Sequence, residues 1–238
     1  MHFNKRTALA AAVTLALPFS HAQTTTTCQP LNGLATSFYS IDFTTTKSLP
    51  NDWAVADYET VSFGAQGAEL TFAKRYDAPT FFTKFKFLFG HVEYVVQGAP
   101  GQGIVSSMVL LSDDLDEIDW EMTGTGGDKV QTNYYGKGFL DYTKADYVNV
   151  ASPNAEFHTY SLDWTAESLT WSIDQVVVRT LRASDAGDDF PQTPMKHKFG
   201  IQLSKHRCFD PSRSHWGRYN SYSSVGGEQR YPGIDSGQ

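Results

Sequence analysis

Between Glu69 and Ser204 the chain repeats one device: short stretches in which apolar residues recur at every second position, bounded by Gly, Pro, Asn and Asp. They read ELTFAKRY, KFKFLFGHVEYVVQ, GIVSSMVLLS, EIDWEM, VQTNYY, HTYSLDW, LTWSIDQVVVRTL and MKHKFGIQLS, and helical periodicity is scarce. Side chains of a strand alternate between two faces, so this pattern predicts strands half-buried on sheets. An all-β chain buries such faces by packing two antiparallel sheets as a sandwich. In HTYSLDW, His158, Tyr160, Leu162 and Trp164 fall on one face, and Trp171 and Ile173 share a face of the next stretch. The VVV run at 176–178 predicts a strand buried on both sides. Trp120, Trp164 and Trp171 are expected in the core.

The N-terminus reads differently. Residues 1–22 carry Lys5 and Arg6, an apolar run from Ala8 to Phe19, and small residues at Ser20 and Ala22, the pattern of a secretory signal peptide cut after Ala22. An apolar run of about 12 residues is too short for a bilayer, which takes roughly 20. Its removal leaves 17 basic residues (19 less Lys5 and Arg6) against 26 acidic ones, a formal charge of −9 in place of −7. That balance argues against nucleic acid as a partner, because phosphates reward clustered Lys and Arg. No membrane anchor is expected either: no later run is long and apolar enough, and the final RYPGIDSGQ lacks a lipid-anchor tail. The expectation is a secreted, soluble monomer with one β domain over 23–203.

Cys28 and Cys208 are the two cysteines. They either pair, tying the N-terminal segment to the C-terminal region, or remain free, and they lack the paired spacing of zinc ligands. From Ser204 onward the aliphatic residues larger than Ala are Val225 and Ile234. Segment 204–238 therefore has little apolar area to offset the entropy of ordering and is expected to be irregular or poorly ordered.

Residues 113–124, DDLDEIDWEMTG, place Glu117, Asp119 and Glu121 two apart. On a strand the three carboxylates share one face, and Ile118, Trp120 and Met122 share the other. Crowded like charges disfavour joint ionisation, so at least one acid should keep a proton near neutral pH. A protonated acid beside an ionised one is the pair that glycosidic bond cleavage needs. The Cα atoms of Glu117 and Glu121 lie about 13 Å apart along a strand, and side chains leaning inward can reach the roughly 5 to 5.5 Å carboxyl separation of retaining chemistry. Asp119 lies between them, placed to orient one Glu. Two other readings compete: a solvated acidic face, which does not account for the nearby aromatics, and a Ca²⁺ site at DDLDE, which lacks the calcium-loop spacing and its Gly. Trp120, Tyr134, Tyr135, Tyr142 and Tyr147 surround the motif, and sugar rings stack their C–H faces on aromatic rings. No cofactor and no metal is expected.

EIDWEMTG, followed in order by VQTNYYGKG (130–138), FHTYSLDWTAESLTWSID (157–174) and FPQTPMKHKFG (190–200), resembles glycoside hydrolase family 16. The likeness runs from about Cys28 to Gly200 and is strongest to the fungal Crh-type cell-wall enzymes, which are chitin and β-glucan transglycosylases. It implies a β-jelly-roll with the acidic strand on a concave face. It further implies Glu117 as nucleophile, Glu121 as general acid/base and Asp119 as the assisting residue. Gln131, Asn133, Tyr135 and Lys198 are implied to line a groove for chitin or β-1,3/1,6-glucan. His158 stays outside that set as a packed strand histidine. Two departures stand out: CQPLNGLATS lacks a second Cys after Cys28, and IQLSKHRCFDPSRSHWGRYNSYSSVGGEQRYPG replaces the family's Trp-containing, Gly-rich segment and following strand. The departures leave a second expectation open, a catalytically inactive carbohydrate-binding jelly roll, and Trp216 is not expected to replace the family's lost sugar platform.

Overall fold

The computed structural model describes residues 32–56, 61–74, 76–125 and 127–203, and the backbone of 215–220. Residues 1–22, read above as a signal peptide, and both cysteines lie outside the described residues.

The described strands are β1 (Trp53–Val55), β2 (Val61–Gly64), β3 (Gly67–Phe72), β4 (Thr80–Thr83), β5 (Gly90–Gln97), β6 (Ile104–Ser112) and β7 (Glu117–Thr123). They continue with β8 (Lys129–Tyr135), β9 (Asp146–Asn149), β10 (His158–Trp164), β11 (Ser168–Ile173), β12 (Val176–Arg182), β13 (Met195–Leu203) and β14 (His215–Asn220). Among the described residues one α-helix is present, α1 (Ala183–Ala186), a single turn. Among the described residues no helix is long and apolar enough to cross a membrane.

All pairings between these strands are antiparallel, in two seven-stranded sheets of order β1-β4-β13-β6-β7-β8-β9 and β12-β11-β10-β5-β14-β3-β2. This is the jelly-roll sandwich that the period-2 pattern and the family likeness lead one to expect. Alternate residues of facing strands close the core between the sheets. Ile118, Trp120 and Met122 of β7 are fully buried there, with Tyr160, Leu162, Trp164 and Trp171 from the other sheet. The Trp120 and Tyr160 rings meet edge to face at 5.3 Å, and Tyr94 meets Phe199 at 5.1 Å. Tyr94 Oη also lies 2.7 Å from His197 Nδ1 in the core, where burial lowers the His197 pKa to about 3 and keeps the ring neutral.

Three local expectations are corrected. The KFKFLFGHVEYVVQ stretch is a strand only from Gly90, because Phe89 sits at φ 61° and Gly90 at φ 135°, a left-handed step that breaks the extended run. LTWSIDQVVVRTL is two strands, β11 and β12, joined by a two-residue turn with Asp174 at φ 48° and Gln175 at φ 68°, the backbone that matches hairpin twist. The VVV run is not doubly buried: β12 is a sheet edge, and Val176 and Val177 are 64% and 61% exposed.

Irregular structure is corrected at 215–220. These residues form β14, paired on one side with β3 (Trp216 opposite Thr71, Arg218 opposite Glu69) and on the other with β5 (Arg218 opposite Gln97). The strand needs few aliphatics because both neighbours supply its hydrogen-bond partners. Without it, two interior strands become open edges. Ending the chain at Ser214 is therefore expected to lower the melting temperature by more than about 10 °C or abolish the cooperative transition, read by circular dichroism. An unchanged melting curve would show that β14 contributes nothing to the sandwich.

Candidate functional site

β7 is the middle of the site. Its outward row, Glu117, Asp119 and Glu121, pairs across to β8 as Glu117 with Tyr135, Asp119 with Asn133 and Glu121 with Gln131. On the other flank, Glu117 faces Leu111, Asp119 faces Val109 and Glu121 faces Ser107 of β6. β6 in turn sets Val109 opposite Lys198 and Ser107 opposite Gly200 of β13. Because antiparallel partners point to the same side, the predicted residues Gln131, Asn133, Tyr135 and Lys198 share one face with the three acids. A cavity of about 160 Å³ opens there, lined by Glu117, Glu121, Ser107, Lys198, Gly200 and Thr80 among others. A second recess, reaching Phe82 and Lys196, adjoins it through Ala78, Thr80, Leu111 and Lys198.

The electrostatics follow from burial and crowding. Asp119 is 4% exposed, and its carboxyl is pushed well above the ordinary 3.8 by burial first, then by the Glu117 and Glu121 charges, with Lys198 pulling weakly the other way. Its side-chain hydrogen bond to Glu117 needs a proton, since two carboxylates can only accept. Glu121 is raised above 4.5, again by burial first and then by the Glu117 charge. The Tyr135 phenol is pushed up by burial and by the acids, so it stays a neutral donor, and its Oη accepts from Asn133 Nδ2 at 2.8 Å. Gln131 Nε2 donates to Tyr147 Oη at 2.7 Å.

The motif is held from behind by residues that sequence reasoning did not single out. Trp171 Nε1, on the opposite sheet, donates to the Asp119 carbonyl at 3.3 Å. Asp116, one residue before Glu117 and fully buried, accepts from Lys137 N at 3.0 Å and Lys137 Nζ at 2.7 Å, from Gln192 N at 2.9 Å and from Thr193 Oγ1 at 2.6 Å. Burial alone would raise Asp116, but these bonds outweigh it and hold the carboxyl below the ordinary range. The clasp fastens the start of β7 to the turn after β8 and to the segment before β13. Strand parity was the available signal: Asp116 falls on the face of Ile118, where an acid must find donors. Asp113, at the head of the DDLDE stretch, pairs with Lys86.

His158 is on the other sheet, with Nδ1 2.7 Å from Asp174 Oδ2 and Nε2 2.8 Å from the Ala151 carbonyl, and takes no part in the acidic face. Trp216 belongs by its backbone to β14, also in the other sheet.

A jelly-roll sandwich carrying an acidic row on an interior strand of one sheet defines a known class. Residues 49–216 match the model of glycosyl hydrolases family 16, and the chain belongs to that family. It is 51% identical over 201 residues to Crh-like protein 5 of Aspergillus fumigatus, covering 80% of this chain and 50% of that protein. Crh-like protein 1 of the same fungus is 49% identical, with 88% and 57% covered. The chain thus spans about half the length of the curated relatives it matches. Among solved structures, the Crh5 transglycosylase in complex with NAG superposes with a TM-score of 0.79 at 44% identity, over 83% of this chain and 87% of that one. A Bacillus licheniformis β-glucanase shares the fold, with a TM-score of 0.69 at 22% identity over 81% and 99%.

The two neighbouring aspartates should carry opposite pH signatures. Asp119 is raised in the fold, so its stabilising contribution is complete below pH 3.8 and is lost as pH rises towards its folded value. Asp119→Asn should therefore melt with wild type at pH 3 and above it at pH 7, by about 1.4 kcal/mol for each pH unit between the two pKa values. Asp116 is depressed, so its contribution is present above 3.8 and lost as pH falls. Asp116→Asn should cost about 1.5–3 kcal/mol at pH 7 and less in acid. Calorimetry across pH reads both, and a destabilised Asp119→Asn at pH 7 would contradict the assignment.

Proposed function

We propose that this chain is a secreted cell-wall glycosidase and transglycosidase that cleaves chitin or β-glucan by retaining double displacement. The observation that carries the proposal is the row of three acids on one strand face, with Asp119 buried between Glu117 and Glu121 and a cavity opening at the two glutamates. In the first step a Glu117 oxygen attacks the anomeric carbon while Glu121 gives its proton to the departing glycosidic oxygen, and the C–O bond breaks. In the second, Glu121 takes the proton of an acceptor sugar hydroxyl or of water. That oxygen then displaces Glu117 from the anomeric carbon, so both groups return to their starting states. Asp119 shares its proton with Glu117, which limits charge build-up in the row before the attack. Gln131, Asn133, Tyr135 and Lys198 supply hydrogen-bond donors to the sugar on either side of the acids.

The general acid works only while protonated, and Glu121 is raised above 4.5 by burial and by the Glu117 charge. Activity should therefore fall on the alkaline side of the profile, at an apparent pKa above 4.5 that belongs to the coupled row. In Glu117→Gln that charge is absent, and turnover should fall by at least about 10³-fold with the melting temperature little changed.

The test incubates the chain with chitin oligosaccharides and a fluorescent β-1,3-glucan acceptor, beside Glu117→Gln, with products resolved by mass. Enlarged fluorescent products from wild type alone support transfer, and shortened donor alone supports hydrolysis. No product from folded protein that still depletes onto chitin would overturn the enzymatic reading in favour of a binding-only jelly roll.

A further inference from the structure

Tyr142 and Tyr147 present an arrangement that the proton chemistry of the acidic row does not require. Both are strongly exposed, at 70% and 60%, although they are among the larger side chains of the sheet's β8–β9 end. Both belong to the acidic face: Tyr147 pairs in register with Gln131 and its hydroxyl accepts a hydrogen bond from Gln131 Nε2, while the Tyr142 ring stands edge-on to Tyr135 at 6.2 Å. Gln131 and Tyr135 are in turn the β8 partners of Glu121 and Glu117. The two rings thus continue the row of acids outward, on the side opposite the recess at Lys196 and Lys198.

The backbone beneath them is fixed. Tyr142 opens a 3-10 turn, Tyr142–Lys144, capped by Asp141, whose carboxylate accepts from Thr143 N at 3.0 Å and Thr143 Oγ1 at 2.5 Å. Lys144 ends the turn with its ammonium 2.6 Å from Asp189, and Arg179 donates to the Lys144 carbonyl at 2.7 Å. Arg179 also binds the Thr132 carbonyl at 2.9 Å and lies over the Trp171 ring at 4.7 Å, which anchors the turn to the core. Gly136, where the chain leaves β8, lets this segment pack against the Asp189 backbone, which a Cβ would meet at 2.4 Å. A turn tied at both ends while its aromatic ring stays in solvent is preorganised for contact, since little ordering entropy remains to be lost on binding. Exposed aromatic surface on the same sheet face as the acidic row is a place where a ligand crossing that face makes contact. An aromatic plane with a hydroxyl at its rim matches a sugar ring, which offers a C–H face and peripheral hydroxyls.

We propose that Tyr142 and Tyr147 form a sugar-stacking shelf over β8 and β9 that holds the part of a β-linked polysaccharide lying beyond the acidic row. The assignment rests on the carbohydrate reading above and adds to it a subsite on this flank. The shelf matters for chains long enough to cross β7 and reach β9, and it acts in binding rather than in bond breaking.

The test uses the full chain carrying Glu117→Gln, to prevent turnover, titrated calorimetrically with chitin hexasaccharide and with β-1,3-glucan hexasaccharide. Tyr142→Ala and Tyr147→Ala are each expected to weaken binding of the preferred hexasaccharide roughly tenfold, with unchanged melting temperatures. Tyr142→Trp should retain affinity, and Val177→Ala on the opposite sheet should leave it unchanged. In the protein with both tyrosines intact, ring-proton resonances of Tyr142 and Tyr147 should shift on titration, an observation independent of how the alanine variants fold. Unaltered affinity in a folded Tyr142→Ala/Tyr147→Ala double variant, or unmoved ring resonances at saturation, overturns the shelf alone. If the Glu117→Gln protein with both tyrosines binds neither hexasaccharide, the carbohydrate reading fails and the shelf with it.

Discussion

Mutual repulsion among Glu117, Asp119 and Glu121 is the constraint around which this sandwich is organised. A strand gives three alternate residues no choice but to share a face, and burial of Asp119 removes the water that would otherwise screen them. Burial and the neighbouring charges push Asp119 and Glu121 toward keeping protons that isolated carboxyls would release, and Asp119, the most buried member, is pushed furthest. The chemistry proposed for the site is thus an outcome of the crowding. Such an arrangement costs stability, and the surrounding structure offsets that cost.

The compensation comes from both sides of β7. Behind the row, Ile118, Trp120 and Met122 fill the core, Tyr160 packs on Trp120, and Trp171 reaches across the sandwich to the Asp119 carbonyl. At the entry to the strand, Asp116 meets four donors and stays ionised, while three residues later Asp119 meets carboxylates and resists ionisation. Two aspartates of one short segment therefore behave oppositely because parity sends them to opposite faces. The same Trp171 lies under Arg179, which holds the turn bearing Tyr142, so one core indole serves both the acids and the flank of the groove.

Much of this was legible in the sequence, for a physical reason: alternation depends on neighbours in the chain alone. β7, β8, β10 and β13 lie where period-2 patterns place them, and the acidic row faces one way as spacing requires. The grouping of Gln131, Asn133, Tyr135 and Lys198 with the acids came from the family likeness, since register between distant strands is not written in either strand by itself. Features set by long-range partners were hidden. The Asp116 clasp needs residues 21 to 77 positions away. The Val176–Val178 run reads as core until its place at a sheet edge is known. β14 was read as irregular because its aliphatics are few, although a strand between two others is held by backbone bonds that composition does not reveal. The break at Phe89 depends on a left-handed backbone that an aromatic residue rarely signals.

The central claim is that the middle acid of the row holds a proton where an ordinary aspartate would not. The direct measurement is a ¹³C carboxyl NMR titration of the folded chain, with the Asp119 resonance assigned by its loss in Asp119→Asn. The structure predicts that this resonance keeps its protonated shift well above pH 3.8, and that its titration moves when Glu117 is replaced by Gln. An Asp119 resonance that ionises near 3.8, indifferent to Glu117, would contradict the account.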